Sequence, residues 1–302
     1  MIAAGIDLGG TKTEIQLFDE NWDTCASRRS ATPSDYTALL DMLGQHIAWA
    51  QAQTGPDLPI GIGAAGLVHP VTGLVLAANL CASGHPLPAD ISAAAGQPIT
   101  YLNDCKAMAL SEAVFGAGRG HKIVLSMTLG TGIGGGIAID GALLHGPNQM
   151  QGEVGHSAAP AHLVAEYGLP LVRCGCGRIG CAETLIAGPG LTRICNALTG
   201  QVLPPEQITA RKDGDMQTVW TLWCDLVADL MRNLTLTIDP NIIVIGGGLS
   251  QVGGVADDLT AALMRARLAD FPTPPIVTAA GGSSSGARGA AYAAWQEGMR
   301  HG

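Results

Sequence analysis

Apolar residues fall in short runs punctuated by glycine, and the runs switch between two periods. Ile2 to Ile6 is a brief apolar stretch and Glu14 to Phe18 alternates apolar with polar positions. Together they predict two strands joined by the turn Asp7-Leu-Gly-Gly-Thr-Lys12. From Asp35 to Gln53, Leu39, Leu40, Leu43, Ile47 and Trp49 recur at helical spacing and predict an amphipathic helix. Pro59 to Gly66 reads as a buried strand entering a glycine turn, and Leu74 to Ala77 as a further strand after Thr72-Gly73. A loop with Asn79 and Ser83-Gly84 then leads to Pro86. Ile99 to Leu102 predicts a strand ending at Asn103-Asp104, and Ala107 to Phe115 a helix.

The opening pattern then recurs. A strand from Ile123 to Thr128, a glycine-rich turn from Leu129 to Gly136, a strand from Ile137 to Ile139 and an Asp140-Gly141 hairpin turn repeat the order strand, glycine turn, strand. This weak duplication predicts two similar α/β lobes facing a central cleft, each offering a phosphate-binding turn. Residues 1–117 would form the smaller lobe, joined by a terminal helix at about 287–302, and residues 118–286 the larger. In the second half, Thr218 to Asn233 predicts a helix, Ile242 to Ile245 a strand leading into Gly246-Gly-Gly248, and Val255 to Leu268 a helix. Gly281-Gly-Ser-Ser-Ser-Gly286 reads as a flexible loop before a last helix, Ala287 to Gln296.

Composition narrows the class. Of 302 residues, 47% are hydrophobic, ample for a large core, while 4% are aromatic and 42 are glycine, which favours tight turns and close backbone approaches. A net charge of -9 makes the chain a poor candidate for binding nucleic acid or an anionic membrane, which rests on a broad basic surface. Neither a basic leader followed by an apolar stretch nor a membrane-length apolar run is present, so the expectation is a soluble, cytoplasmic protein.

Gly152 to Glu183 carries the most specific chemistry. Cys174, Cys176 and Cys181 form a C-x-C-x4-C cluster with His156 eighteen residues upstream, which reads as one structural zinc site of three thiolates and an imidazole. The competing reading is a redox pair, but the spacing is not C-x-x-C. Gly175, Gly177 and Gly180 would let the backbone wrap the ion. A zinc-bound His156 keeps an N–H on its other nitrogen, free to meet a ligand, and Glu153 and Glu183 ride on the same loop. In the first hairpin, Gly9 and Gly10 free backbone N–H groups for a phosphate, Thr11 and Lys12 add a hydroxyl and a cation, and Asp7 suits Mg2+ held through water. A plain Gly-Gly turn is the alternative there. Asn103-Asp104 stands where a strand meets a helix, a common place for a catalytic carboxylate and equally for a helix cap.

Together these pieces resemble the repressor, open reading frame, kinase (ROK) family of sugar kinases, within the actin-like ATPase (ribonuclease H-like) fold. The residues that carry the resemblance are Asp7 to Lys12, Asn103-Asp104, Leu129 to Gly136, Gly152 to His156, Cys174 to Cys181 with Glu183, and Ile245 to Gly248. Within the family, Ala77 to Asn79, Ala82 to Gly84, Pro86-Leu87, Ala89-Asp90, Ala109 to Ala113 and the long spacer between His156 and Cys174 are most similar to members acting on N-acetyl-D-glucosamine. The resemblance implies ATP-dependent phosphorylation of that sugar's 6-hydroxyl with Asp104 as general base. It assigns Gly66, Asn79, Asn103, Glu153, His156 and Glu183 to the sugar. ATP falls to Asp7, Gly9, Gly10, Thr11, Lys12, Gly130, Thr131, Gly132, Gly134, Gly135, Gly247 and Gly248. His156 with the three cysteines would hold zinc. Small-molecule partners and a homodimer are implied, with no nucleic acid or membrane.

Two departures stand out. Lys106 occupies the last position of a motif that commonly reads Asn-Asp-x-Asn, where its charge would either depress the Asp104 pKa or lie unused on the surface. Ala64-Ala65 stands where relatives often have proline in the turn before Gly66. Rival readings are a kinase for N-acetylmannosamine, glucose or fructose, and a non-catalytic sugar sensor. A repressor would carry a DNA-reading segment ahead of the hairpin, for which Asp7 leaves no room.

Overall fold

The structure is a computed structural model that describes residues 1–210, 213–282 and 285–301. Its strands are β1 (Ala3–Leu8), β2 (Lys12–Phe18), β3 (Thr24–Ala31), β4 (Ile60–Ala64), β5 (Leu67–Val68), β6 (Val75–Leu76), β7 (Thr100–Asn103), β8 (Ile123–Leu129), β9 (Ile133–Ile139), β10 (Ala142–Leu143), β11 (Ile242–Gly246) and β12 (Ile276–Thr278). The helices are α1 (Tyr36–Thr54), α2 (Leu87–Ala95), α3 (Asp104–Val114), α4 (Ala161–Tyr167), α5 (Glu183–Ile186), α6 (Gly188–Thr199), α7 (Pro205–Thr209), α8 (Gly214–Ile238), α9 (Val255–Ala266) and α10 (Ser285–His301). Among the described residues no helix is long and apolar enough to cross a membrane.

The duplication expected from the glycine turns is present in the sheets. One five-stranded sheet runs β3-β2-β1-β4-β7 and the other β10-β9-β8-β11-β12, the same order twice. In the first, β1 pairs antiparallel with β2 and parallel with β4, and β4 continues parallel to β7. In the second, β11 is parallel to both β8 and β12. The sequence pattern missed β3 because its stretch, TCASRRSA, lies largely exposed and carries no apolar alternation. It also missed β12, only three residues long, and the short helices α2, α4, α5, α6 and α7. The glycine turn of the second repeat is shorter than expected, since β9 begins at Ile133 and takes in Gly134, Gly135 and Gly136. A β-carbon on Gly136 would collide with the side chain of Ala109, so this glycine serves packing.

The chain divides into two compact units. The first comprises Met1–Gly120, Gly136–Gln151 and Ala280–Gly302, and the second His121–Gly135 and Gly152–Ala279. Residues 136–151 thus group with the N-terminal segment, although the linear division at 117 puts them with the larger lobe. The reason is packing: Gly136 lies against α3, and Leu143 of β10 joins Leu102, Ala107, Ala109, Leu110 and Ala290 in one apolar cluster.

In the first unit, Ile6, Leu8, Ile15, Leu17, Leu39, Leu43, Ile47, Ile60 and Ile62 form the core between sheet and α1. Asp35 caps α1 by accepting from Ala38 N–H at 2.9 Å. The terminal helix begins at Ser285, two residues before the position the periodicity suggested. Ser283 and Ser284 of the expected loop lie outside the described residues. In the second unit α8 buries Trp220 and Trp223, stacked with centroids 4.6 Å apart, and Trp223 donates to the Ile186 carbonyl at 2.8 Å.

Helix α10 crosses β1, β4 and α3 with backbone touching backbone. A β-carbon on Gly5 would overlap the Ala287 carbonyl, one on Gly61 that of Ala290, and one on Gly289 that of Ala107. None of these glycines has positive φ, so the requirement is space alone. Gly289→Ala is expected to destabilise the protein by about 3 kcal/mol or more in urea unfolding, because helix and helix must separate to admit one methyl group.

Candidate active site and metal centre

In the first unit the candidate carboxylates stand at the carboxyl ends of β1 and β7, the parallel strands on either side of β4. Asp7 lies near the end of β1, in register with Gly63 of β4, which pairs with Leu102 of β7. Asp104 follows β7 directly as the first residue of α3. Strand ends of this kind are rigid and open outward, the usual location of ligand sites in parallel sheets. Burial, followed by the nearby negative charge of Asp104, pushes the Asp7 carboxyl up to about 6, against the opposing pull of Lys12. A divalent cation at this carboxylate pair would offset both effects, so the residues fit a bound magnesium ion.

At Asn103-Asp104 both side chains meet the backbone N–H of Cys105. Asn103 is the helix cap, its side-chain oxygen accepting from Cys105 N–H at 3.0 Å, and its amide donates to the Gly66 carbonyl at 3.1 Å. Asp104 Oδ1 also accepts from Cys105 N–H, at 2.8 Å. Asn103 and Gly66 are therefore brought together. Gly66 has φ of 101°, and any side chain there would strike the Leu76 carbonyl. Lys106 is not a surface residue: it is 6% exposed, and its ammonium donates to the Gln149 carbonyl.

The hairpin between β1 and β2 is tied in place. Gly9 N–H donates to the Lys12 carbonyl at 3.1 Å, and the Thr32 hydroxyl donates to the Gly9 carbonyl at 2.7 Å. Gly10, Thr11 and Lys12 are exposed. Asn79 packs beside Gly10, whose added β-carbon would fall 2.7 Å from the Asn79 carbonyl oxygen, and both line a pocket of about 280 Å³.

In the second unit an open pocket of about 1160 Å³ is lined by Gly130, Thr131 and Gly248 from the sequence-derived set. Gly132 is exposed at the same turn, while Gly134 and Gly135 lie within β9. Gly247, at φ of 84°, lies where a β-carbon would meet the Leu129 backbone at 2.6 Å. The sequence reading missed the rest of the lining, Pro189, Val202, Pro204 and Leu249 among it. Pro-Pro at 204–205 and Gly-Pro at 188–189 were the available signals, and neither carries a phosphate-binding pattern.

The cysteine and histidine cluster assembles in the same unit. Ligand atoms of His156, Cys174, Cys176 and Cys181 all lie within 4.8 Å of one another. His156 ends a 3-10 turn, Val154–His156, and its Nδ1 is 3.5 Å from Cys174 Sγ, while Cys176 Sγ is 3.5 Å from Cys181 Sγ. A tetrahedral zinc site has ligand–ligand edges of about 3.6 to 3.8 Å, from bond lengths near 2.1 and 2.3 Å. The set therefore fits zinc in donor type and in size. Gly177 and Gly180 take positive φ, 91° and 79°, as the tight loop demands, whereas Gly175 does not. Burial first, and then donation to Glu183 Oε1 at 2.8 Å, push the Cys174 thiol up to about 12. A bound cation reverses that balance by favouring thiolate.

The carboxylates arrange around His156. Its Nε2, expected to be free for a ligand, is 3.6 Å from Glu153 Oε2, the placement of a carboxylate that orients a metal-bound imidazole. Glu183 lies on the other side, 3.5 Å from His156 Nδ1, and its Oε2 accepts from Ile133 N–H at 3.3 Å.

Comparison with known proteins agrees with this architecture. Residues 3–297 match the ROK family. An N-acetylgalactosamine kinase of Shewanella sp. (strain ANA-3) is 40% identical over 95% of this chain and 94% of its own. An N-acetyl-D-glucosamine kinase of Escherichia fergusonii is 36% identical over 95% of this chain and 97% of its own. The solved ROK hexokinase from Thermus thermophilus superposes with a TM-score of 0.87 at 28% identity, covering 100% of both chains. The α/β fold of the actin-like ATPases, expected from the resemblance, is the fold of this chain.

The raised Asp7 pKa has a consequence for stability. Between pH 3.8, where the unfolded carboxyl titrates, and about 6, the folded state holds a proton that the unfolded chain has lost. Stability from this group is therefore full below that window and falls as pH rises through it. Without added magnesium, Asp7→Asn is expected to stabilise the protein by about 1–3 kcal/mol at pH 8 and by nothing at pH 3.5, read from urea unfolding at both values.

Proposed function

The chain belongs to the ROK family, and on that premise we propose that it transfers the γ-phosphoryl group of ATP to the 6-hydroxyl of N-acetyl-D-glucosamine. The observation that carries the reading is the pair Asp7 and Asp104 at the ends of β1 and β7, the two strands that flank β4, next to a glycine hairpin with exposed Thr11 and Lys12. Asp104 accepts the proton of the 6-hydroxyl as that oxygen attacks the γ-phosphorus. The new oxygen–phosphorus bond forms while the bond to the β–γ bridging oxygen breaks, and ADP leaves with that electron pair. Gly66, Asn79, Asn103, Glu153, His156 and Glu183 contact the sugar hydroxyls and hold the nucleophile in line.

Gly9, Gly10, Thr11 and Lys12, with Gly130, Thr131, Gly132, Gly134, Gly135, Gly247 and Gly248, serve the nucleotide. The pocket walls formed by Pro189, Val202, Pro204 and Leu249 suit a flat apolar base beside the polar turn. Asp7 holds magnesium through water, and the ion when bound neutralises phosphate charge. Zinc, held by His156, Cys174, Cys176 and Cys181, supplies a crosslink that keeps Glu153 and Glu183 in position.

A second reading, N-acetyl-D-galactosamine, is favoured by the relative of that specificity at 40% identity. The two sugars share the 2-acetamido group and differ at one hydroxyl, a distinction set by a few contacts.

ADP release with Mg-ATP should be strongest with N-acetyl-D-glucosamine among N-acetyl-D-galactosamine, N-acetylmannosamine, glucose and fructose, with 31P NMR showing a 6-phosphate. Preference for the galacto epimer moves the assignment to the second reading, and no turnover with any of them removes the kinase reading. Asp104→Ala should lower kcat by about 10²–10⁴-fold while calorimetry still detects sugar binding. The purified protein should contain zinc by elemental analysis, and Cys176→Ser should lose it. Full zinc content in that variant would reject the four-residue site.

A further inference from the structure

One buried carboxylate has no part in the chemistry above. Glu112 lies on α3, two helical turns beyond Asp104, with no exposed surface. Its Oε2 accepts from Ala117 N–H at 3.0 Å and Ala280 N–H at 2.9 Å. Its Oε1 accepts from Gly281 N–H at 2.8 Å and the Ser285 hydroxyl at 2.7 Å. Burial alone raises such a carboxyl, yet these donors outweigh it and hold its pKa below the ordinary glutamate value. The group is a charged anchor that joins the C-terminal turn of α3 to the start of α10.

What the anchor holds is informative. Ser285 opens α10, and the next residue, Gly286, lies directly over the Asp7 carboxylate: a β-carbon there would be 3.1 Å from Oδ1 and 3.2 Å from Cγ. Gly281 is equally confined, since a β-carbon would lie 2.8 Å from Glu112 Oε1 and would overlap the Ser285 hydroxyl. The first turn of α10 is thus pinned by Glu112 on one side and pressed against Asp7 on the other.

We infer that Glu112 is a positioning residue for Asp7: by fixing the head of α10 it holds Gly286 against the Asp7 carboxylate and so sets where that carboxylate can carry a magnesium–nucleotide complex. The inference rests on the magnesium role given to Asp7 above. A residue that only stabilised the fold would lower the unfolding midpoint and leave metal dependence untouched. A residue that positions Asp7 changes metal dependence in the folded enzyme.

The test uses the full chain and reads the Mg2+ half-saturation at fixed ATP, the sugar KM and the thermal midpoint. Glu112→Gln puts an amide N–H2 opposite donors. Gly286→Ala leaves the Glu112 network intact and pushes on Asp7 directly. Each is expected to raise the Mg2+ half-saturation by about tenfold or more, as loss of an orienting partner does at metal sites, with the sugar KM unchanged. Should Glu112→Gln fail to fold, Gly286→Ala decides alone. Wild-type Mg2+ half-saturation in the folded variants, or a sugar KM that rises in step with it, overturns the inference. Asp7→Asn is run beside them: if it leaves the half-saturation unchanged, the magnesium role of Asp7 itself has failed, and the inference with it.

Discussion

Backbone packed directly on backbone is the constraint on which the first unit depends. Gly5, Gly61 and Gly289 each meet a carbonyl of α10 or α3 where no side chain fits. That closeness brings α10 against the first strand of a sheet whose register places Asp7 and Asp104 at the ends of β1 and β7. Burial, with the nearby charge of Asp104, raises the Asp7 pKa.

The second unit solves a different problem. Residues 152–183 contain little regular structure, and short loops of this kind seldom hold side chains still by packing alone. Here the donors of His156, Cys174, Cys176 and Cys181 converge, and Glu153 and Glu183 flank the imidazole. Because Glu183 also accepts from Ile133 N–H, the order imposed on the cluster reaches the turn at Gly130–Gly132. Glu183 thus links the loop to the strand that follows the glycine turn.

The chain's low aromatic content and abundant glycine find their explanation in this design. Fine placement of polar groups here is achieved by bringing main chain close to main chain, and two groups gather several of the aromatic side chains. One is the Trp220–Trp223 stack under α8, and the other is the group of Phe18, Trp22, Phe115, Tyr292 and Trp295.

The sequence by itself determined the repeated strand–glycine–strand order, the strand end at Asn103-Asp104, the amphipathic α1 and the metal-type spacing from His156 to Cys181, because each is a local pattern of period, turn chemistry or ligand type. It did not reveal β3, whose exposed polar residues follow β2 by hairpin pairing alone, nor the extension of β9 through Gly134 to Gly136, which depends on what lies opposite. It left Lys106 as either surface or modulator, and only the fold buried it against the Gln149 carbonyl. Glu112 lay within the Ala109–Ala113 stretch without a role that could be read for it, since its partners at Ala280, Gly281 and Ser285 lie far away in sequence, and the Gly-Pro and Pro-Pro pairs of the pocket wall carried no phosphate-binding pattern. Local chemistry is written in neighbouring residues; which carboxylate meets which amide 168 positions away is decided only when helix closes on helix.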